Sequence, residues 1–151
     1  MSYTDDQYGM DLASGIAAFE AKEFKRAMQL LSPLAELGDA DAQFRLAVMY
    51  QNGLGLVPNP HAALHWMTAA ARQAHGMAQH GLGFMYAYGE CAELDVAAAV
   101  SWFEQAAEQG MIGSMAALAQ LYHAGQGVPV DLERARHWYL QAGFDPLEFD
   151  L

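Results

Sequence analysis

Positive charge is what this sequence has least of. Seven Lys and Arg stand against 18 Asp and Glu in 151 residues, a formal charge of −11. Between Arg72 and Arg134 there is no Lys or Arg at all. Nucleic acid and anionic membrane both call for a basic surface, so neither is expected as a partner. Cysteine is almost absent too. A single Cys91 excludes an intramolecular disulfide and fits a reducing compartment. No apolar run is long enough to cross a bilayer. The opening residues, MSYTDDQYGM, have acids where a secretory signal has a basic stretch and then an apolar one. The expectation from these absences is a cytoplasmic protein.

What the chain does have is alanine, methionine and a period. Hydrophobic residues make up 54% of it, enough for a substantial core. Tyr50, Tyr86 and Tyr122 recur at an interval of 36 residues, as do Leu46, Leu82 and Leu118. Trp66, Trp102 and Trp138 keep the same interval, and so do Ala63, Ala99 and Ala135. A fixed period of this length means stacked supersecondary units, none of which can bury its apolar face alone. Apolar spacings of three and four residues, with Gly, Pro and Asp as punctuation, predict helices over 8–21, 24–37, 40–52, 60–73, 76–88, 95–108, 112–124 and 131–142. Pro33 falls inside the second of these and predicts a kink or an early loosening there. Asn59, Asp95 and Asp131 stand where helix caps are needed. The three tryptophans are expected to fill the space between units, with alanines allowing close helix contact.

The segments AQFRLAVMYQNGLGL and ALHWMTAAA, with their later copies, resemble the Sel1-like repeat, a relative of the tetratricopeptide repeat. The resemblance covers Ala42 to about Phe144 in three copies. Gly15, Phe24 and Ala27 make the first helix pair similar to a tetratricopeptide unit. The sequence departs from the family pattern at Cys91 in place of a glycine, Asn59 in place of Asp, and Ala74 in place of the glycine found at Gly110. The implied fold is all-α, a right-handed α-solenoid of antiparallel helix pairs in one domain over 1–151. It would consist of an N-terminal pair (8–38), repeats at 39–74, 75–110 and 111–143, and a tail (144–151).

The resemblance also implies a scaffold that binds another protein in a concave groove lined by the first helix of each pair. Carried onto this sequence, the groove positions are Phe44, Val48, Gln51 and Asn52 in the first copy. Met77, His80, Phe84 and Tyr88 follow in the second, and Ala116, Gln120 and His123 in the third, with Phe19 from the N-terminal pair. These positions do not repeat in kind: Phe44, His80 and Ala116 are equivalent, as are Val48, Phe84 and Gln120. Packing asks for the same residue in every copy, whereas a surface that reads a partner does not. The alternative is that Phe44 and Phe84 are further core.

Chemistry is poorly represented. His61 and His65 stand at i, i+4 and could supply two metal ligands, but no third accompanies them, and a polar outer face accounts for both. Glu90, Glu93 and Asp95 oppose thiolate formation at Cys91, which fits a turn residue better than a nucleophile. Glu104 and Glu108 lie one turn apart on a solvated face, a poor setting for a catalytic pair. The Gly-x-Gly pairs follow helices, which excludes a phosphate loop after a strand. No enzyme, metal or cofactor is expected. The leading reading is an adaptor for a peptide or helix of a partner protein, with basic residues on that partner to meet the acidic C-terminal half. The other is an inhibitor or immunity-type protein that covers an enzyme. The tail, with Phe144, Leu147, Phe149 and Leu151, would either cap its own last repeat or mediate self-association.

Overall fold

A computed structural model describes residues 3–151. Among these are eight α-helices and no strand: α1 (Asp5–Glu20), α2 (Phe24–Glu36), α3 (Ala40–Asn52), α4 (Pro60–Arg72), α5 (Gly76–Tyr88), α6 (Val96–Glu108), α7 (Ile112–Ala124) and α8 (Leu132–Ala142). A 3₁₀ turn over Pro146–Phe149 follows. Seven of these helices lie within one residue of their expected ends. The exception is α1, which begins at Asp5 rather than Tyr8. Thr4 caps it, its hydroxyl accepting from the Gln7 amide at 3.2 Å, and Asp5 and Asp6 complement the positive end of the helix dipole. The loosening expected at Pro33 does not occur. Helix α2 runs on to Glu36, because Leu34 and Ala35 on its last turn are buried and hold it.

The 36-residue period is built from one repeated loop. The backbone N–H groups of Asn59, Asp95 and Asp131 donate to the carbonyls of Tyr50, Tyr86 and Tyr122, each at 2.9 Å. The side chains of the same three residues accept from the amides three residues on, at 3.1, 3.0 and 3.0 Å. Each therefore closes the preceding loop and caps the next helix, satisfying amides that a helix start leaves free.

The described residues form two compact units, one up to His75 and one from Gly76 onward. In the N-terminal unit, Leu31, Leu34, Leu46 and Met49 make the core, flanked by Phe19, Phe24 and Trp66. Buried Gln43 donates to the Ala35 carbonyl at 3.1 Å and accepts from Gln73 at 2.9 Å. Asp39 caps α3 through the Ala42 amide at 2.8 Å and accepts from the Tyr8 hydroxyl at 2.6 Å. Burial, with the Asp39 bond and charge behind it, pushes the Tyr8 pKa up to about 12. In the C-terminal unit the core holds Phe103, Leu118 and Tyr139, and Gln109 donates to buried Gln79 at 2.7 Å, repeating the link made by Gln73 and Gln43.

The tryptophans, expected in the buried stripe and in the space between units, stand at the edge of that stripe, Trp66 and Trp138 packing partly buried against the two cores. Trp66, Trp102 and Trp138 are half-buried, while the residue after each, Met67, Phe103 and Tyr139, is only 2%, 1% and 3% exposed. Helical geometry gives the reason. The buried stripe runs Ala63, Met67, Ala70 and Ala71, in steps of four and three, and Trp66 lies about 100° off Met67, at the edge of the stripe.

The tail folds back on its own chain. Phe149 stacks on Tyr139 with centroids 4.1 Å apart and planes 6° apart, and Phe144 meets both rings edge-on. The Phe144 amide donates to the Tyr139 carbonyl at 2.9 Å, and Pro146 is buried.

Cys91 occupies a strained place. Its φ is +62°, against +74° and +72° at the equivalent Gly55 and Gly127. A Cβ at Gly55 would lie 2.7 Å from that of Phe24, and one at Gly127 would strike Val96. Cys91→Gly should therefore raise stability by about 0.5–1 kcal/mol, read as a higher urea midpoint with an unchanged slope. A lower midpoint would show that the thiol packs usefully.

Candidate partner-binding surface

In the C-terminal unit, the face of α5 meets the start of α7 around one open cavity of about 220 Å³. Phe84, Tyr88, Ala116 and Gln120, four of the residues expected in a groove, all line it, together with Phe103 and Gly113. Phe84 and Tyr88 are one turn apart on α5 and stack at 5.4 Å with planes 21° apart. Phe84 also stands edge-on to Phe103, at 5.5 Å and 90°. Although paired in this way, Phe84 is 38% exposed and Tyr88 68%. Every residue lining the cavity is uncharged.

His80 stands behind this wall. Its Nδ1 is 2.7 Å from the Ser114 hydroxyl, and its ring meets Phe84 edge-on at 4.9 Å. Burial lowers its pKa below the ordinary value, so the ring is neutral at neutral pH. Ser114 is fully buried, which leaves this pair in a positioning role for the Phe84 wall and closes it to substrate. Met77, also on α5, is exposed and does not line the cavity. His123 lines an adjoining hollow with Gln120, Ala124 and Tyr139.

The expected groove residues of the N-terminal unit are placed differently. Phe19 packs against the core, edge-on to Phe24 at 5.8 Å, with the Arg45 guanidinium 5.7 Å from its ring centre. Phe44 is half-buried and stacks on His75 at 5.0 Å, and His75 Nε2 lies 2.9 Å from Asp41. Val48 and Gln51 are half-buried, and Asn52, which is exposed, donates to the Val48 carbonyl at 3.0 Å.

Phe103 and Gly113 are cavity residues that the repeat pattern does not mark, although a signal for Gly113 is present. Gly113 and Ala116 are small where the second copy has Met77 and His80 and the first has Asp41 and Phe44. The third copy's small residues leave the space that Phe84 and Tyr88 border.

His61 and His65 are exposed on α4, and no group of three or more His, Cys, Asp or Glu could hold a metal ion among the described residues. Burial, and then the charge of Glu90, push the Cys91 thiol pKa up, away from a reactive thiolate. No described helix is long and apolar enough to cross a membrane.

The Sel1 repeat model matches residues 40–75, 76–111 and 112–143. The chain belongs to the Sel1 repeat family. Two solved structures agree with this. A Sel1 repeat protein from Oxalobacter formigenes is 30% identical with a TM-score of 0.81, over 87% of this chain and 54% of that one. A protective antigen present in uropathogenic Escherichia coli strains, displaying an SLR fold, is 30% identical with a TM-score of 0.79, over 94% of this chain and 33% of that one. This Sel1 chain thus spans about half the length of the first and a third of the second. No curated protein matches it. The fold class is an all-α solenoid of helix pairs, and Sel1 repeats are generally protein–protein interaction modules.

Proposed function

We propose that this Sel1 chain is a non-catalytic adaptor that binds a segment of a partner protein, and that the Phe84–Tyr88 face of the C-terminal unit is the centre of recognition. One observation carries the reading: the non-repeating residues Phe84, Tyr88, Ala116 and Gln120, drawn from two repeats, border a single open cavity. A stacked pair of aromatics left open to solvent is costly for an isolated protein and useful to one that binds. Binding energy concentrates in a few central aromatics that lose their water on contact.

Replacing Phe84 and Tyr88 together with alanine should preserve the helical circular dichroism spectrum, at a cost of about 1–2 kcal/mol in stability, since neither side chain is fully buried. The same variant should no longer recover the natural partner from lysate. A His61→Ala, His65→Ala variant on the outer face of α4 should recover it normally. A folded Phe84, Tyr88 double variant that still recovers the partner would place recognition elsewhere.

A further inference from the structure

We propose that the cavity between α5 and α7 takes one aromatic side chain from a partner segment that carries Lys or Arg on both sides of that anchor. This rests on the reading of the face as a protein-binding surface and adds the chemistry of the ligand.

The size argues for a single side chain. At about 220 Å³, the cavity falls below the roughly 300–1,000 Å³ of small-molecule sites. It suits one ring inserted from an otherwise exposed segment. The walls argue for an aromatic one. Phe84, Tyr88 and Phe103 present three rings around the space, and an entering ring can meet them in the offset and edge-on arrangements that aromatic pairs favour. Gln120 and Gln126, both exposed and both at the cavity, offer amide donors and acceptors to the backbone of the incoming segment.

The charge of the surroundings argues for cationic flanks. Residues 76–151 hold ten Asp and Glu against Arg134 and Arg136, a net of −8. Arg134 is already engaged, donating to the Tyr122 hydroxyl at 3.0 Å and lying 3.5 Å from Asp131. His80 bonds Ser114 and faces the rings of Phe84 and Phe103. Glu90 and Glu93 follow Tyr88 directly beyond the end of α5. An approaching cationic segment is therefore steered toward this face, and an anionic one is repelled.

Ala116 sets the size limit. Its equivalents are Phe44 and His80, so the repeat accepts a ring at this position, and a ring here would fill the cavity from within.

Three blocked pentapeptides test the proposal when titrated to millimolar concentration into the ¹⁵N-labelled protein: Lys-Lys-Trp-Lys-Lys, Glu-Glu-Trp-Glu-Glu and Lys-Lys-Ala-Lys-Lys. The first should shift amides of the Phe84–Tyr88 turn and of α7, and bind at least tenfold more tightly than either of the others. Its affinity should fall severalfold between 50 and 200 mM salt. Ala116→Phe should abolish the shifts while the thermal melt stays cooperative, and Gly113→Met, one turn earlier on the same α7 wall, repeats the block should the first variant fold poorly. Equal binding of the Glu-flanked peptide would overturn the cationic requirement, and equal binding of the Ala-centred peptide would overturn the anchor. Shifts that persist in both blocked variants would place the contact outside the cavity. The same amides shifting with protein concentration alone would mean that a second copy fills the space, which also overturns the proposal. If no peptide binds but the Phe84, Tyr88 double variant still loses its natural partner, the ligand chemistry fails and the binding face stands. If that variant keeps its partner, the face itself fails.

Discussion

Replacing Phe103 with alanine should lower the unfolding free energy by about 3–5 kcal/mol, the range for removing a buried aromatic and leaving a cavity. Phe103 is 1% exposed and is the bulkiest fully buried side chain among the described residues. It packs within the core of the C-terminal unit with Leu118 and Tyr139, and Phe84 stands edge-on to its ring. Neighbours on several sides cannot all move into the vacated space, so the cavity term persists. Trp102→Ala provides the contrast. That side chain is larger but half-buried, and its loss should cost about 2 kcal/mol, because part of its surface is already in water. Urea melts of the two variants decide between them. A larger loss for Trp102 than for Phe103 would reverse the order of burial and restore the tryptophan to the centre of the unit.

That reversal of roles shows what the sequence could and could not convey. Helices were legible because their boundaries are written in local chemistry. Asn59, Asp95 and Asp131 cap wherever they follow a loop of this kind, and that needs no knowledge of distant residues. Depth of burial was less legible. At the groove positions variation between copies suggests surface, but variation alone does not decide burial. Phe84 varies and is 38% exposed. Met67, Phe103 and Tyr139 vary as well, yet are buried, because each copy packs its own side chain in the same stripe. The cavity was hidden for a related reason. Ala116 is legible as a candidate position, but a small residue opens a space only if larger ones stand around it. Here those come from α5 and α6, and their convergence is a property of packing that no local pattern records.

Gly83→Ala should destabilise the protein by about 1–2 kcal/mol, although alanine is the better helix former by about 1 kcal/mol. The reason is a close approach within α5's own unit. A Cβ at Gly83 would lie 2.6 Å from two carbons of the Phe103 ring, too near for the ring to stay where it is. The other copies have Ala47 and Ala119 at this position, with Met67 and Tyr139 in place of Phe103. Alanine is therefore compatible with the repeat and incompatible with this particular ring in this particular pose. Phe103→Met made together with Gly83→Ala recreates the Ala47 and Met67 combination, and should lose less than the two single changes added, by about 1 kcal/mol or more. Because Phe103 also lines the cavity, the displaced ring in Gly83→Ala alone should weaken partner binding while the helical spectrum is retained. Strict additivity in the double variant would mean that α5 shifts to admit the methyl group, and that the glycine is not what lets Phe103 reach the cavity wall.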